Sequence, residues 1–101
     1  MSRCTQDQPY CQHIQELSDL LKVIAEPNRL KIICLLAGQE YCVCQIFKEL
    51  SLAQNLTSHH LSVLREAGIV VARKEGTSVY YQLNQEKVSF ILSTLSGILD
   101  D

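Results

Sequence analysis

Two thiols one residue apart, Cys42 and Cys44 in Glu40-Tyr41-Cys42-Val43-Cys44-Gln45-Ile46, carry the clearest chemistry in the chain. A Cys-x-Cys pair is a claw for soft cations, because thiolate sulfur suits Cd(II), Pb(II), Zn(II), Cu(I) and trivalent arsenic. The pair falls where a short helix of about residues 43–50 should begin, and the positive pole of a helix N-terminus favours the thiolate that binds metal. Ideal helical geometry opposes the pairing. At ~100° per residue, positions i and i+2 point to nearly opposite sides, so one ion can be shared only if the helix starts late or its first turn distorts.

The chain has five cysteines, an odd number. Met1 to Tyr10 is polar and lacks the apolar core of a signal peptide, and no run approaches the ~20 apolar residues of a membrane span. The expected location is the cytoplasm, where cysteines serve metal binding or redox sensing rather than a disulfide framework. Cys34 falls on an apolar helical stripe and reads as a packing residue. His13, alone near the N-terminal arm, reads as solvated.

The elements that must position these thiols follow from periodicity. A polar arm, residues 1–11, leads to Ile14, Leu17, Leu21 and Ile24, spaced as one helical face. Glu26-Pro27 breaks that helix, and Pro27 suits the first turn of the next. The second helix carries Leu30, Ile33, Cys34 and Ala37 along a stripe and ends at Gly38. After the short helix at about 43–50 come the turn Ser51-Leu52-Ala53 and a helix from about Gln54 to Ala67, with Leu61 and Leu64 inward and Gly68 as its stop. Residues 69–74 and 78–83 read as strands joined by Glu75-Gly76-Thr77. Val88, Ile91, Leu92, Leu95, Ile98 and Leu99 close the chain on an amphipathic helix. This order predicts a mainly α fold with a β-hairpin wing (α+β), a winged helix-turn-helix, as one domain over residues 1–101. The terminal helices keep apolar faces that a two-fold homodimer would cover.

In a helix-turn-helix the first turns of the second helix enter the major groove. Gln54, Thr57, Ser58 and His59 are the polar candidates there: Gln can read adenine, and Ser and Thr can bind bases or phosphate. Adjacent His59 and His60 project ~100° apart, which is poor for chelation, so His59 is assigned to DNA and His60 to partial packing. Arg73 and Lys74 would steer the wing to phosphate, and Tyr80 and Tyr81 read as strand packing. The net charge of −2 looks unfavourable for DNA, but residues 22–83 carry a net +2 and the flanks −4. The charge pattern permits duplex DNA as a partner without demanding it.

The Cys-Val-Cys element, Ser58-His59-His60-Leu61, Leu64-Arg65-Glu66-Ala67-Gly68, the hairpin from Arg73 to Leu83 and the junction from Ile24 to Leu30 together resemble the ArsR/SmtB family of metal-responsive repressors. The resemblance covers about residues 17–83. It implies a homodimer that binds operator DNA when metal-free and releases it when an ion such as As(III), Cd(II) or Pb(II) binds. In the arsenic-sensing branch a third cysteine follows three residues after the second; here that place is Phe47. Cadmium- and lead-sensing relatives recruit arm cysteines, often from the other protomer, which makes Cys4 and Cys11 candidates for three- or four-sulfur coordination with Cys42 and Cys44. Cys4 and Cys11 can lie up to ~25 Å apart when extended, and their spacing is wider than that branch's arm pair. The Asp/His/Glu site of zinc sensors on the last helix looks absent, since no His follows His60.

The leading expectation is thus a metal(loid)-responsive repressor. A thiol-redox-sensing DNA-binding regulator of the same fold is the alternative, and a metal-buffering or interaction module without DNA binding is a third. Nothing resembles a nucleophile–base pair or a phosphate loop, so an enzyme is not expected.

Overall fold

A computed structural model describes residues 13–100; the arm with Cys4 and Cys11 lies outside them. Five helices and three strands follow in order: α1 (Ile14–Ile24), α2 (Pro27–Leu36), β1 (Tyr41–Cys42), α3 (Val43–Leu50), α4 (Gln54–Glu66), β2 (Val70–Glu75), β3 (Ser78–Leu83) and α5 (Gln85–Leu99). The helix-turn-helix is α3 and α4, and the wing is β2 and β3. Structure and sequence agree on every helix. β1 was not expected: it makes the sheet three-stranded, in the order β1-β3-β2, all antiparallel. A two-residue strand has no periodicity to betray it, and only its partner β3 defines it.

Local chemistry accounts for the boundaries. Glu26 caps α2 by accepting the Arg29 N–H at 2.9 Å, with Pro27 in the first turn. α4 ends in a Schellman arrangement: Gly68 N–H donates to the Arg65 carbonyl and Ile69 N–H to that of Leu64, both at 3.0 Å, with Gly68 at φ +80°. The same closure ends α3, where Leu52 N–H donates to Phe47 O and Ser51 N–H to Lys48 O. Here Ser51 occupies the left-handed position at φ 54°. The wing turns on Gly76 and Thr77 alone, with positive φ at Gly76, the pattern that suits a two-residue hairpin. β2 therefore includes Glu75, a correction to the three-residue turn Glu75-Gly76-Thr77 expected from the sequence. Asn84 ties the wing to α5: its side-chain oxygen accepts from the Glu86 and Lys87 amides, while its Nδ2 donates to Gly68 O at 2.9 Å.

The core gathers Leu17 and Leu20 of α1, Ile32 and Leu36 of α2, Ile46 of α3, Leu61 and Leu64 of α4, Ile69 and Val70 at the wing's base, and Ile91 of α5. The expected α2 stripe is corrected: Ile32 and Leu36 face inward, while Leu30 and Cys34 are exposed. α2 is apolar on most sides, so spacing alone could not choose its inner face. The exposed side forms an open groove with Pro27, Lys31, Leu35 and Leu50. The terminal helices do retain uncovered apolar residues: Ile14 and Leu21 on α1, Leu92 and Leu99 on α5, the last two 63% and 69% exposed.

Candidate DNA-reading helix and cysteine site

α4 divides cleanly into two faces. Thr57, His60, Leu61 and Leu64 are buried, at helical spacing, while Gln54, Ser58 and His59 are exposed. The expected reading set therefore loses one member. Thr57 is fully buried and its hydroxyl donates to the Ala53 carbonyl at 3.0 Å, so it seats the helix and cannot reach a base. The N-terminus of α4 has Ala53 at its cap and no side chain capping from there; Asn55 Oδ1 accepts the Leu56 N–H at 2.9 Å, which leaves the Gln54 and Asn55 amides to meet an anion.

The buried face docks on the α1–α2 junction through a polar knot. Arg29 Nε donates to Val23 O at 2.8 Å, and its Nη1 lies 3.4 Å from His60 Nδ1. Arginine can only donate, so Nδ1 accepts and the imidazole proton sits on Nε2. That atom is buried without a hydrogen-bond partner among the described residues, 3.8 Å from Glu26 Oε1. Burial holds the imidazole below its ordinary pKa, against the opposing pull of Glu26. Glu26 itself is held below the ordinary carboxylate value chiefly by the Arg29 amide. The junction residues thus position the recognition helix, a role that no local pattern in the sequence exposed.

The cysteine pair avoids the helical conflict. Cys42 is extended (φ −81°, ψ 160°), ending β1 and capping α3, so only Cys44 stands in the helix, in its first turn. The Gln45 side chain accepts the Cys42 N–H at 2.9 Å and fixes this late start. Both are free thiols, Cys44 exposed and Cys42 half-buried. Their donor chemistry fits a soft ion, but among the described residues no group of three or more His, Cys, Asp or Glu side chains is placed to hold one. An ion held by this pair would need further donors from outside that set. Cys34 is a separate exposed thiol on α2.

On the wing, Lys74 is exposed. Arg73 is engaged by Glu40 and Glu75, with its Cζ 5.0 Å over the Tyr80 ring. The two carboxylates, Glu40 foremost, push the guanidinium pKa further above its ordinary value. Glu40 carries no local signal of this role in the sequence, because its partner Arg73 lies 33 positions away. Tyr81 packs against the core, as expected of a strand residue. No helix among the described residues is long and apolar enough to cross a membrane.

Comparison with known proteins agrees with this architecture. Residues 26–71 match the family described as bacterial regulatory protein, arsR family. The chain is 38% identical over 84 residues to the arsenical resistance operon repressor of Staphylococcus xylosus, covering 83% of this chain and 81% of that protein. Among solved structures, reduced HlyU from Vibrio cholerae N16961 superposes with a TM-score of 0.73 at 33% identity, covering 86% of this chain and 92% of that one. A homodimeric winged helix-turn-helix DNA-binding domain from Mycobacterium bovis gives 0.72 at 28% identity, with coverage of 95% and 91%. The chain belongs to the ArsR/SmtB family of winged-helix transcriptional regulators.

Proposed function

We propose that the protein is a repressor that binds operator DNA as a homodimer and releases it when a thiophilic ion, As(III), Cd(II), Pb(II) or Zn(II), engages Cys42 and Cys44. The observation that carries this reading is the late start of α3, which sets one thiol at the end of a strand and the other in the first turn of the helix that follows. Cys11 and Cys4 are the chain's remaining candidates for a third and fourth sulfur. A bound ion would supply a cross-link between these thiolates. The chain's own residues do the rest. α3 packs on α4, with Ile46 buried one turn beyond Cys42, so a change in how Cys42 meets α3 bears on the helix that carries Gln54, Ser58 and His59.

DNA reading is assigned to those three exposed side chains, with the α4 N-terminus and Lys74 at phosphate. The exposed apolar residues of α1 and α5 favour a dimer through the terminal helices, and a relative described as homodimeric supports it. The relative named for arsenical resistance supports metalloid sensing. Thiol-redox sensing is the second reading, favoured by the exposed Cys34 and by similarity to a protein solved as reduced HlyU.

The test is fluorescence anisotropy with a duplex selected from a random pool by the metal-free, fully reduced protein. It is titrated with Cd(II), Pb(II), As(III) and Zn(II), beside the Cys42→Ser/Cys44→Ser variant. Release by an ion in wild type and not in the variant is the expected result. Tight binding indifferent to every ion would refute the metal switch and move the sensor to thiol oxidation.

A further inference from the structure

Arg73 looks like a phosphate contact in the sequence, yet its guanidinium is already held on three sides. Nη2 and Nε face Glu40, the residue before β1, with Nε 3.4 Å from Oε2. Nη1 faces Glu75 on the same strand, and the Tyr80 ring lies beneath Cζ. Two carboxylates against one guanidinium leave the cluster net negative, a poor partner for a DNA backbone. The same residues form one row across the sheet: Cys42 stands opposite Tyr80, and Tyr80 opposite Arg73. β1 therefore connects a thiol of the cysteine pair to the wing without passing through α4.

We propose that Arg73 is a positioning residue that clasps the wing to the strand carrying Cys42, so that displacement of Cys42 reaches the wing directly as well as through the recognition helix. Glu40 is the other half of the clasp, fixing the turn before β1 to β2 while the β1–β3 ladder fixes Cys42 to Tyr80. Lys74, exposed on the same strand, is the wing cation left to face phosphate. The relay to the wing rests on the sensor reading of Cys42 and Cys44; the positioning role of Arg73 does not.

Two arms separate these claims. In the first, Arg73→Gln and Glu40→Gln are compared with wild type without metal, using the selected duplex at several salt concentrations and hydrogen exchange of the wing amides, residues 70–83. A phosphate contact contributes ~0.9 to the slope of log affinity against log salt. The clasp predicts an unchanged slope for Arg73→Gln, faster wing exchange in both variants, and no further acceleration in the double variant. A slope lower by ~0.9 per protomer in Arg73→Gln, or unaltered wing exchange in either variant, overturns it.

In the second arm Cd(II) is added to reduced wild type and Glu40→Gln, following thiolate-to-metal charge-transfer absorption beside DNA release. The relay predicts an unchanged absorption band and a release factor smaller by about threefold in Glu40→Gln, the scale of an exposed ion pair. Equal release in the two proteins refutes the relay. If wild type shows no band, the sensor reading falls and the relay with it, while the first arm still decides the clasp.

Discussion

Ile46 is the only fully buried residue of α3, so truncating it asks whether that helix is seated as described. Ile46→Ala removes three carbons from a site with no solvent exposure. The lost transfer term is about 2.4 kcal/mol at ~0.8 per methylene. A residual cavity of ~50 Å³ at ~24 cal/mol per Å³ contributes roughly another 1.2. The expected destabilisation is about 3.5 kcal/mol, and about 1 for Ile46→Val, which deletes one methyl group. For a domain of this size that corresponds to a fall in Tm of about 15–25 °C for the alanine variant. Cys44→Ala, exposed in the first turn of the same helix, should stay within ~0.5 kcal/mol. The assay is urea unfolding at fixed protomer concentration, because dimerisation makes stability concentration-dependent. The m-value should be unchanged, so the midpoint reports the difference. A cost below ~1 kcal/mol for Ile46→Ala would mean that α3 is not anchored there, and Cys42 would have no mechanical route through this helix to α4.

Gly68→Ala should destabilise by about 1–2 kcal/mol, the cost of a left-handed conformation for a residue with a Cβ, since Gly68 sits at φ +80° and the new Cβ would lie 3.1 Å from Lys87 Cε. Gly38→Ala, with open space around the added carbon, is the control, and equal urea midpoints for the two would contradict the Schellman ending of α4. The His60 imidazole, lowered from 6.5 by burial, gives a signed pH dependence. The unfolded chain takes up the proton first, so stability is complete above about pH 6.5 and declines as pH falls from there toward the depressed folded value. Glu26, lowered from 4.5, acts in a separate and more acidic window. Midpoints measured between about pH 7.5 and about pH 5.5 should fall in wild type and fall less in His60→Gln; identical slopes in the two proteins would show that His60 is not buried neutral.

The elements of this fold were legible because each has its own local signal. Apolar spacing marked α1, α4 and α5, Pro27 and Gly68 marked helix boundaries, and Gly76 between two β-rich runs marked the wing. The reading face of α4 was partly legible, since Leu61 and Leu64 fix its inward side. Thr57 was misplaced because a buried threonine bonded to the carbonyl four residues back has the same letter as one facing solvent. The inner face of α2 failed for the opposite reason: its excess of apolar residues gives more than one candidate stripe.

Cys42 and Cys44 were evident from composition and spacing alone, but their compatibility was not. It depends on Cys42 belonging to β1, and β1 exists only because β3 lies beside it. The knot of Glu26, Arg29 and His60 and the clasp of Glu40, Arg73 and Glu75 likewise join residues up to 34 positions apart. Residue types and their periodicity act over a turn or two of chain, and at that range they set where helices, turns and the thiol pair lie. Partners brought together by folding act over distances no local pattern encodes, and the tertiary structure alone decided which thiol is strand and which is helix, which face of α4 is free, and which wing cation is already held.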